Sequence, residues 1–563
     1  MKQLYTKWGK ELDLDQVLPE YPRPMMKRES YINLNGYWEY KITNKKQTKL
    51  PKGYDGKILV PFSPESVLSG VKRQLLPEQE LWYRRQFEID RNKNRRILLH
   101  FGAVDQMCIV YINGKTVKIH KGGYLPFTVD ITNHLCEGEN ELCVRVRDLS
   151  DFSYHARGKQ KLKRGGMFYT AQSGIWQTVW MEEVPYYYID SIKCTPLYDE
   201  SKVEITVFSK IDQIVRIFLE EQEYKGKTNH PIRIFIKEKK SWTPEHPFLY
   251  KYEVEMGEDK IESYFAMRCV TVEKDKKGIP RICLNHKKIF QKGILDQGYW
   301  PDGLYTAPSD EAMIFDIAGV KANGYNMIRK HCKIEPQRWY YHCDKMGVLV
   351  WQDVVNGGSS YHHWFVTYCA TLLWLLHIPV KDRFRILLSR RSEAGRIEFE
   401  KEMYRTVKTL YSHPSVIVWT LFNEGWGQFD AIRLGKILKR LDKTRLLDAA
   451  SGWFDQGNGD LKSIHNYFFK QKVKPEKSRA AVLSEFGGFS MKIKNHSSTV
   501  GMYGYRMFTN RKKLSRAYDK IWKEVKKLEE KGLCAAVYTQ LTDVEEEVNG
   551  LWTYDREILK IKN

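Results

Sequence analysis

The sequence predicts a multidomain chain, β then α/β, in which two β-sandwiches precede a carboxyl-terminal (β/α)8 TIM barrel. Three observations carry this. The 563 residues exceed one ordinary domain and allow three or four at about 150 residues each. Up to about residue 275 the apolar pattern is that of strands. From Arg281 onward, strand-like runs alternate with amphipathic helices.

Residues 1–185 read as an antiparallel sandwich. The segment 82–89 is strand-like, and 97–101 and 109–112 are short apolar runs, the second closed by Asn113-Gly114, a hairpin-turn signal. Residues 141–148 alternate strictly, as a strand with one wet face does. A break falls at Val184-Pro185. Strands at 202–208, 214–219 and 250–256, with Pro244 and Pro247 in the turn before the last, make 186–275 a small immunoglobulin-like sandwich serving as a spacer. In 276–563, Ser309-Asp310-Glu311 caps a helix reaching Ala322, which Asn323-Gly324 ends before a strand at 325–328. A helix at 336–346 stops at Gly347 before a strand at 348–351. Helices at 396–410, 430–441 and 513–531 and strands at 416–422, 480–483 and 535–539 continue the repeat of a parallel barrel.

Composition excludes other classes. Hydrophobic residues at 42% and charged residues at 29% argue against disorder across the chain. The 92 Lys and Arg against 69 Asp and Glu leave +23, which raises nucleic acid, anionic membranes or acidic glycans as partners. The basic groups at 45–49, 159–164, 383–396 and 511–527 are scattered beside turns and on helix faces, so they read as solvated surface, with no nucleic-acid partner expected. The ten cysteines form no Cys-x-x-Cys pair and read as buried free thiols. The first 15 residues lack the apolar core of a signal peptide, and the most apolar stretch, 371–380, is too short to span a bilayer. No membrane and a cytoplasmic location are expected. Neither Gly-x-x-x-x-Gly-Lys nor an early Gly-x-Gly-x-x-Gly is present, which removes support for a nucleotide cofactor. Ligands adjacent in sequence, as in His331-Cys332, His342-Cys343 and His362-His363, diverge on a strand, so no metal site is expected.

Two short segments carry the chemistry. The nearly continuous apolar run 415–422 leads into Asn423-Glu424-Gly425-Trp426-Gly427, and 480–483 leads into Ser484-Glu485-Phe486-Gly487-Gly488. Each places a glutamate at the carboxyl end of a barrel strand, where catalytic groups sit, with glycines behind it that would let a substrate approach the backbone. Two carboxyl groups about 5 Å apart allow one to attack an anomeric carbon while the other protonates the departing oxygen. Their mutual repulsion holds one proton on the pair. A single such glutamate would read as an ordinary loop residue; two in one barrel favour the pair. Trp426, Trp453, Tyr467, Tyr299, Trp300 and Tyr538 fall at strand ends or in loops, where rings either stack on a pyranose or pack in the core. No cysteine follows a strand with glycine behind it, which disfavours a Cys-His nucleophile.

These residues, with Leu34-Asn35-Gly36-Tyr37-Trp38, Tyr169-Thr170-Ala171-Gln172-Ser173-Gly174-Ile175-Trp176-Gln177, Phe265-Ala266-Met267-Arg268 and His413-Pro414-Ser415, make the sequence resemble glycoside hydrolase family 2. This is the family of β-galactosidases, β-glucuronidases and β-mannosidases, and the likeness covers nearly the whole chain. The resemblance implies a sugar-binding jelly roll in 1–185, Glu424 as general acid/base, Glu485 as nucleophile, Asn423 as partner of the sugar 2-hydroxyl, and Tyr467 as neighbour of the nucleophile. Arg329 and His331 resemble the family's Arg and His after the second barrel strand, one residue closer together than in many members. Asp296, in Asp296-Gln297-Gly298-Tyr299-Trp300, occupies the first strand's exit, where members choose among sugars; Trp300, Asp353, Trp453 and Tyr538 complete the expected substrate contacts. Tyr538-Thr539-Gln540 stands where many members place a tryptophan. The Asn-x-Lys that grips a glucuronate is replaced by Val548-Asn549-Gly550-Leu551-Trp552, which favours a neutral hexose. The expectation is a retaining exo-β-glycosidase, galactosidase-like. The alternatives are a β-glucuronidase using other Arg or Lys side chains, and a carbohydrate-binding protein that has lost turnover. A carbohydrate is the expected partner, and a homo-oligomer is allowed. The chain stops soon after Tyr554-Asp555-Arg556, which leaves three domains.

Overall fold

The structure is a computed structural model that describes residues 3–561 other than 45, 46, 48, 91, 93, 363, 377 and 379, and not the side chains of 367, 371, 374 and 375. Parts of the 45–49 basic group, of His362-His363 and of the apolar stretch 371–380 therefore lie outside the described residues.

The amino-terminal sandwich packs a six-stranded antiparallel sheet, with Gln79–Ile89 between Gly36–Asn44 and Gly138–Arg147, on a four-stranded sheet built around Arg95–Phe101 and Val179–Pro185. Trp38, Leu81, Tyr83, Leu99, Phe101 and Val144 fill the space between them. Asn113-Gly114 turns the hairpin Met107–Ile112/Lys115–Lys121, both residues in the left-handed region at φ 49° and 76°. The alternation in Gly138–Arg147 is imperfect. Leu142, Val144 and Val146 enter the core, while Cys143 on the opposite face is also covered and lies 3.9 Å from the Tyr54 hydroxyl.

A three-stranded sheet (Ser191–Leu197, Lys202–Phe208, Pro231–Phe235) then faces a four-stranded one (Gln222–Lys227, Ile214–Leu219, Tyr250–Met256, Asp259–Phe265). Three of these strands fall where the apolar runs place them. The others escape pattern reading because segments such as Gln222–Lys227 are too polar and exposed to show a period. The hairpin Val270–Lys274/Pro280–Leu284 seals the floor of the barrel, Val270, Ile282 and Leu284 packing against Leu295, Met327 and Leu349. A boundary at 275 would cut through its turn.

Eight parallel strands form the barrel: β1 Gln291–Asp296, β2 Met327–Lys330, β3 Leu349–Asp353, β4 Val416–Thr420, β5 Leu446–Asp448, β6 Leu461–Asn466, β7 Ala480–Gly487 and β8 Leu533–Thr539. Their order is β5-β4-β3-β2-β1-β8-β7-β6. Four predicted helices are present: Asp310–Ala322, capped by Ser309 Oγ accepting from the Ala312 N–H at 3.2 Å, Gln337–Met346, which ends at left-handed Gly347, Glu393–Leu410 and Ala431–Leu441. Arg511–Glu530 packs on β8 and completes the predicted set. The strand-helix repeat is incomplete. Among the described residues no helix follows β5, β6 or β8, and the Gly-, Lys- and Pro-containing connections there run as loops.

Two composition readings change. Seven cysteines are buried, but Cys136 is exposed in a polar turn and Cys269 and Cys369 are half-buried. The basic residues are not all solvated: Lys159 and Arg390 are buried, and the 159–164 group is built into the barrel mouth as described below. Among the described residues no helix is long and apolar enough to cross a membrane.

Candidate active site

Both glutamates stand at the carboxyl-terminal rim. Glu485 lies near the end of β7, 5% exposed, and Glu424 four residues beyond β4. One carboxylate oxygen of each lies within 4.8 Å of the other, with a nitrogen of His465 inside the same distance. His465, on β6, bridges them: Nδ1 is 2.8 Å from Glu424 Oε1 and Nε2 is 3.5 Å from Glu485 Oε1.

Glu485 is held on every side. Arg329, on β2, donates from Nη1 to Glu485 Oε1 at 3.1 Å, and the Tyr467 hydroxyl donates to Oε2. Arg329 is fixed in turn by donating to both carboxylate oxygens of Asp353, at 3.0 and 3.1 Å, and Asp353 also meets His331 Nδ1 at 2.7 Å. Burial alone would raise the Glu485 pKa. The opposing charges of His465, Arg329, His331 and Lys159 prevail and bring it down to about 2. Asp353 behaves the same way: burial raises it, and Arg329 and His331 hold it at about 2. A carboxylate so surrounded is ionised at neutral pH, as a nucleophile must be.

Glu424 sits differently. Its backbone is left-handed at φ 49°, an uncommon conformation for a residue with a side chain. Asn423 beside it accepts from Arg329 Nη2 at 2.8 Å through Oδ1, which leaves its buried Nδ2 without a protein partner among the described residues. That orphaned donor fits a ligand hydroxyl. The glycines behind the carboxylates do other work than expected. A Cβ on Gly425 (φ +73°) would lie 2.3 Å from the Phe454 ring, and one on Gly487 (φ +86°) 2.4 Å from Tyr538, so both glycines admit protein rings rather than substrate.

A cavity of about 660 Å³ opens over Glu424. Its barrel wall includes Trp453, Tyr467, Tyr503 and Tyr505, and Lys161, Gly165, Gly166, Met167 and Phe168 of the amino-terminal sandwich close the other side. Tyr467 and Tyr505 stack with centroids 3.7 Å apart. The sandwich loop is tied down by three consecutive barrel glutamates. Gly166 N–H donates to Glu546 at 2.8 Å, Arg164 Nη1 lies 3.3 Å from Glu545 Oε2, and Lys159 Nζ lies 4.0 Å from Glu547. A second cavity, about 50 Å³, lies between sandwich and barrel around Trp176, Met313 and Arg338 and holds neither glutamate.

The structure thus places Glu424, Tyr467 and Trp453 on one cavity, with Glu485 joined to them through Tyr467 and His465, Asn423 beside Glu424, and His331 and Asp353 behind Glu485. It does not bring Asp296, Trp300 or Tyr538 there. Asp296 is 3% exposed and bound by Lys330 Nζ, which also donates to Glu335 at 2.8 Å. Trp300 lies under the Arg556 guanidinium, 3.9 Å from its ring centroid, and edge-on to Trp8. Tyr538 is fully buried among Phe486, Phe489 and Tyr518. Each had a strand-end position in the sequence, but its side chain turns into packing. Tyr299 and Trp426 are likewise core residues, Tyr299 against Tyr169 and Tyr305, Trp426 against Tyr361 and Phe168.

Sequence reasoning missed His465, although it stands on β6 only two residues before Tyr467. The sandwich residues Lys161 to Phe168 offered no signal, being more than two hundred residues distant in the chain. Among the described residues four sets of side chains have metal-ligating spacing, two of them at this rim, Glu424-His465-Glu485 and His331-Cys332-Asp353. In these two, protein hydrogen bonds already occupy the histidine and carboxylate atoms, and Arg329 adds a cation beside them. The donor sets do not favour a metal.

Fold and site together define a barrel protein with paired rim carboxylates and a sandwich that completes its cavity. The chain belongs to glycoside hydrolase family 2: residues 70–185 match the model of the family's sugar-binding domain and 276–487 that of its TIM barrel domain. It is 26% identical over 369 residues to a putative β-glucuronidase of Formosa agariphila, covering 61% of this chain and 39% of that one. It is 24% identical over 383 residues to a β-galactosidase of Clostridium acetobutylicum, covering 64% and 40%. The matches span about two fifths of the length of these curated relatives. A solved β-glucuronidase from an uncultured Clostridium superposes with a TM-score of 0.74 at 18% identity, over 95% of this chain and 97% of that one, which is a likeness of fold.

Proposed function

We propose that the protein is a retaining exo-β-glycosidase acting by double displacement, galactosidase-like in its sugar. The observation that carries this reading is the approach of the Glu424 and Glu485 carboxylates to within 4.8 Å, the range of retaining rather than inverting enzymes. Glu485, ionised and aimed by Arg329 and Tyr467, attacks the anomeric carbon. Glu424 gives its proton to the departing oxygen, then takes one from the water that releases the sugar. Asn423 Nδ2 donates to the 2-hydroxyl, and Trp453 offers a ring face. In this reading the sandwich of 1–185 supplies a wall of the pocket, 186–275 is a spacer, and the barrel of 276–563 does the chemistry.

A β-glucuronidase is the second reading. Relatives of that name support it, and so does Lys159, a buried ammonium beside Glu547, the carboxylate to which Asn549 donates, near where the family's carboxylate-gripping lysine is missing from the sequence. Glu547 already opposes that charge, which keeps the neutral sugar first. A panel of 4-nitrophenyl β-glycosides tests both. Turnover of the galactoside is expected. Hydrolysis of the glucuronide alone would replace the sugar assignment, and no turnover of any member would leave a carbohydrate-binding protein.

A further inference from the structure

His465 does more than touch two carboxylates, because its far side continues inward. Nε2 lies 3.0 Å from Ser451 Oγ, Ser451 Oγ lies 3.5 Å from Ser463 Oγ, and Ser463 donates to Asp448 Oδ2 at 2.7 Å. Asp448 ends β5 at 1% exposure, and its Oδ1 has no protein partner among the described residues. The ring that links the two ends cannot rotate: a Cβ on Gly452 would already stand 2.7 Å from it, and Trp453 lies edge-on with centroids 5.8 Å apart. The chain therefore runs from a cavity carboxyl to a buried one through one packed imidazole and two hydroxyls.

Donor counting gives the chain a direction. When Asp448 is ionised it accepts from Ser463, Ser463 accepts from Ser451, and Ser451 accepts from His465 Nε2–H. With the imidazole neutral, Nδ1 is then an unprotonated acceptor, and a protonated Glu424 at 2.8 Å is the partner that fills it. Reversing the chain requires one proton to leave Glu424 and one to arrive on Asp448, with each group between passing one on. The proton count is the same in both arrangements. We propose that Asp448 is a positioning residue that favours the protonated form of Glu424 through Ser463, Ser451 and His465. This rests on reading Glu424 as the acid/base.

The electrostatic setting agrees. Burial pushes the Asp448 carboxyl up to about 6, opposed by Arg329 and by the Ser463 hydrogen bond, so it can exchange a proton near neutrality. Around His465 the other ionisable groups are Glu424 from the loop after β4, Glu485 from β7 and Tyr467 just beyond β6. Behind Glu485 stand Arg329 and Asp353. All but Glu424 and Asp448 are locked into partners by the nucleophile.

The test is the pH profile of kcat/KM on 4-nitrophenyl β-D-galactopyranoside for wild type, Asp448→Asn and Ser463→Ala. Removing the Asp448 charge should lower the Glu424 pKa, moving the alkaline limb by about one pH unit toward acid while the acid limb stays. Ser463→Ala keeps the charge but cuts the chain, and should move the same limb less. A parallel titration of ¹³Cδ-glutamate by NMR, with Glu424→Gln assigning the signal, reads the Glu424 midpoint without substrate and should show the same shift. Reduced activity with both limbs and the midpoint unmoved would overturn the proposal. If wild type cleaves no glycoside in the panel, the functional reading fails, and the NMR midpoint still decides the chain.

Discussion

Two buried ionic clusters sit at the same rim of the barrel, and only one of them meets the cavity. At the exit of β1 and β2, Asp296, Lys330, Glu335 and Lys333 neutralise one another: Lys330 donates to Asp296 and, at 2.8 Å, to Glu335, and Lys333 donates to Glu335 at 2.8 Å and to the carbonyls of Gly298 and Tyr305 at 2.7 and 2.8 Å. Every charge there has a protein partner. Across β2, β4, β6 and β7 the partners are shared out unequally. Among the described residues Glu485 has three side-chain partners, Glu424 has one in His465, and Asn423 keeps a donor unmet. The difference teaches that a strand-end charge becomes a site through what the protein leaves unsatisfied, whereas a saturated cluster is structure.

The largest effect expected is that of Glu485→Ala, which should lower kcat on the galactoside by on the order of 10⁴-fold or more, with azide restoring turnover as the α-glycosyl azide. Glu424→Ala should cost about 10²- to 10⁴-fold and yield the β-glycosyl azide under the same conditions. Near wild-type rates in both variants would discard the assignment.

Lys330→Met sharpens the contrast from the other side. It leaves Asp296 and Glu335 buried against one remaining cation, and unfolding in denaturant should show a loss of about 3 to 5 kcal/mol, while kcat/KM below the melt changes by less than about threefold. A collapse of kcat at unchanged stability would return Asp296 to the active site.

The smallest effects concern pH and stacking. The pKa values of Glu485 and Asp353 fall from ordinary values of 4.5 and 3.8 to about 2 on folding, so they stabilise the fold fully above about pH 4.5. That contribution is lost as pH falls toward 2. Denaturant melts between pH 6 and 3 should slope downward, and Glu485→Gln should flatten the slope. Trp453→Ala should raise KM about 2- to 10-fold with kcat less affected, as expected for loss of one ring face.

Much of this was legible in the chain. The run 415–422 had to be buried on both faces, and a glutamate directly beyond it had to reach the rim. The same logic placed Glu485. It failed for Asp296, which also ends a strand, because whether Lys330 turns toward it depends on a neighbouring strand. It failed for Tyr538 and Trp300 for a related reason: an aromatic at a strand end can point into the cavity or beneath it, and spacing does not distinguish the two. Strands such as β5 were missed because three residues, Leu446–Asp448, are too few to show a period.

By itself the amino-acid order determined the succession of sandwiches and barrel, the two glutamates at strand ends, and the turns and caps that stop each element, since these follow from local periodicity and backbone preference. Only the tertiary structure decided which charges were cancelled and which were left facing the cavity. It also brought Lys161 and Phe168 of the first sandwich over the barrel and placed Asp448 behind His465. Those outcomes depend on side chains far apart in the chain meeting in a low-dielectric interior, where a partner a few ångströms away settles a group's charge and its use.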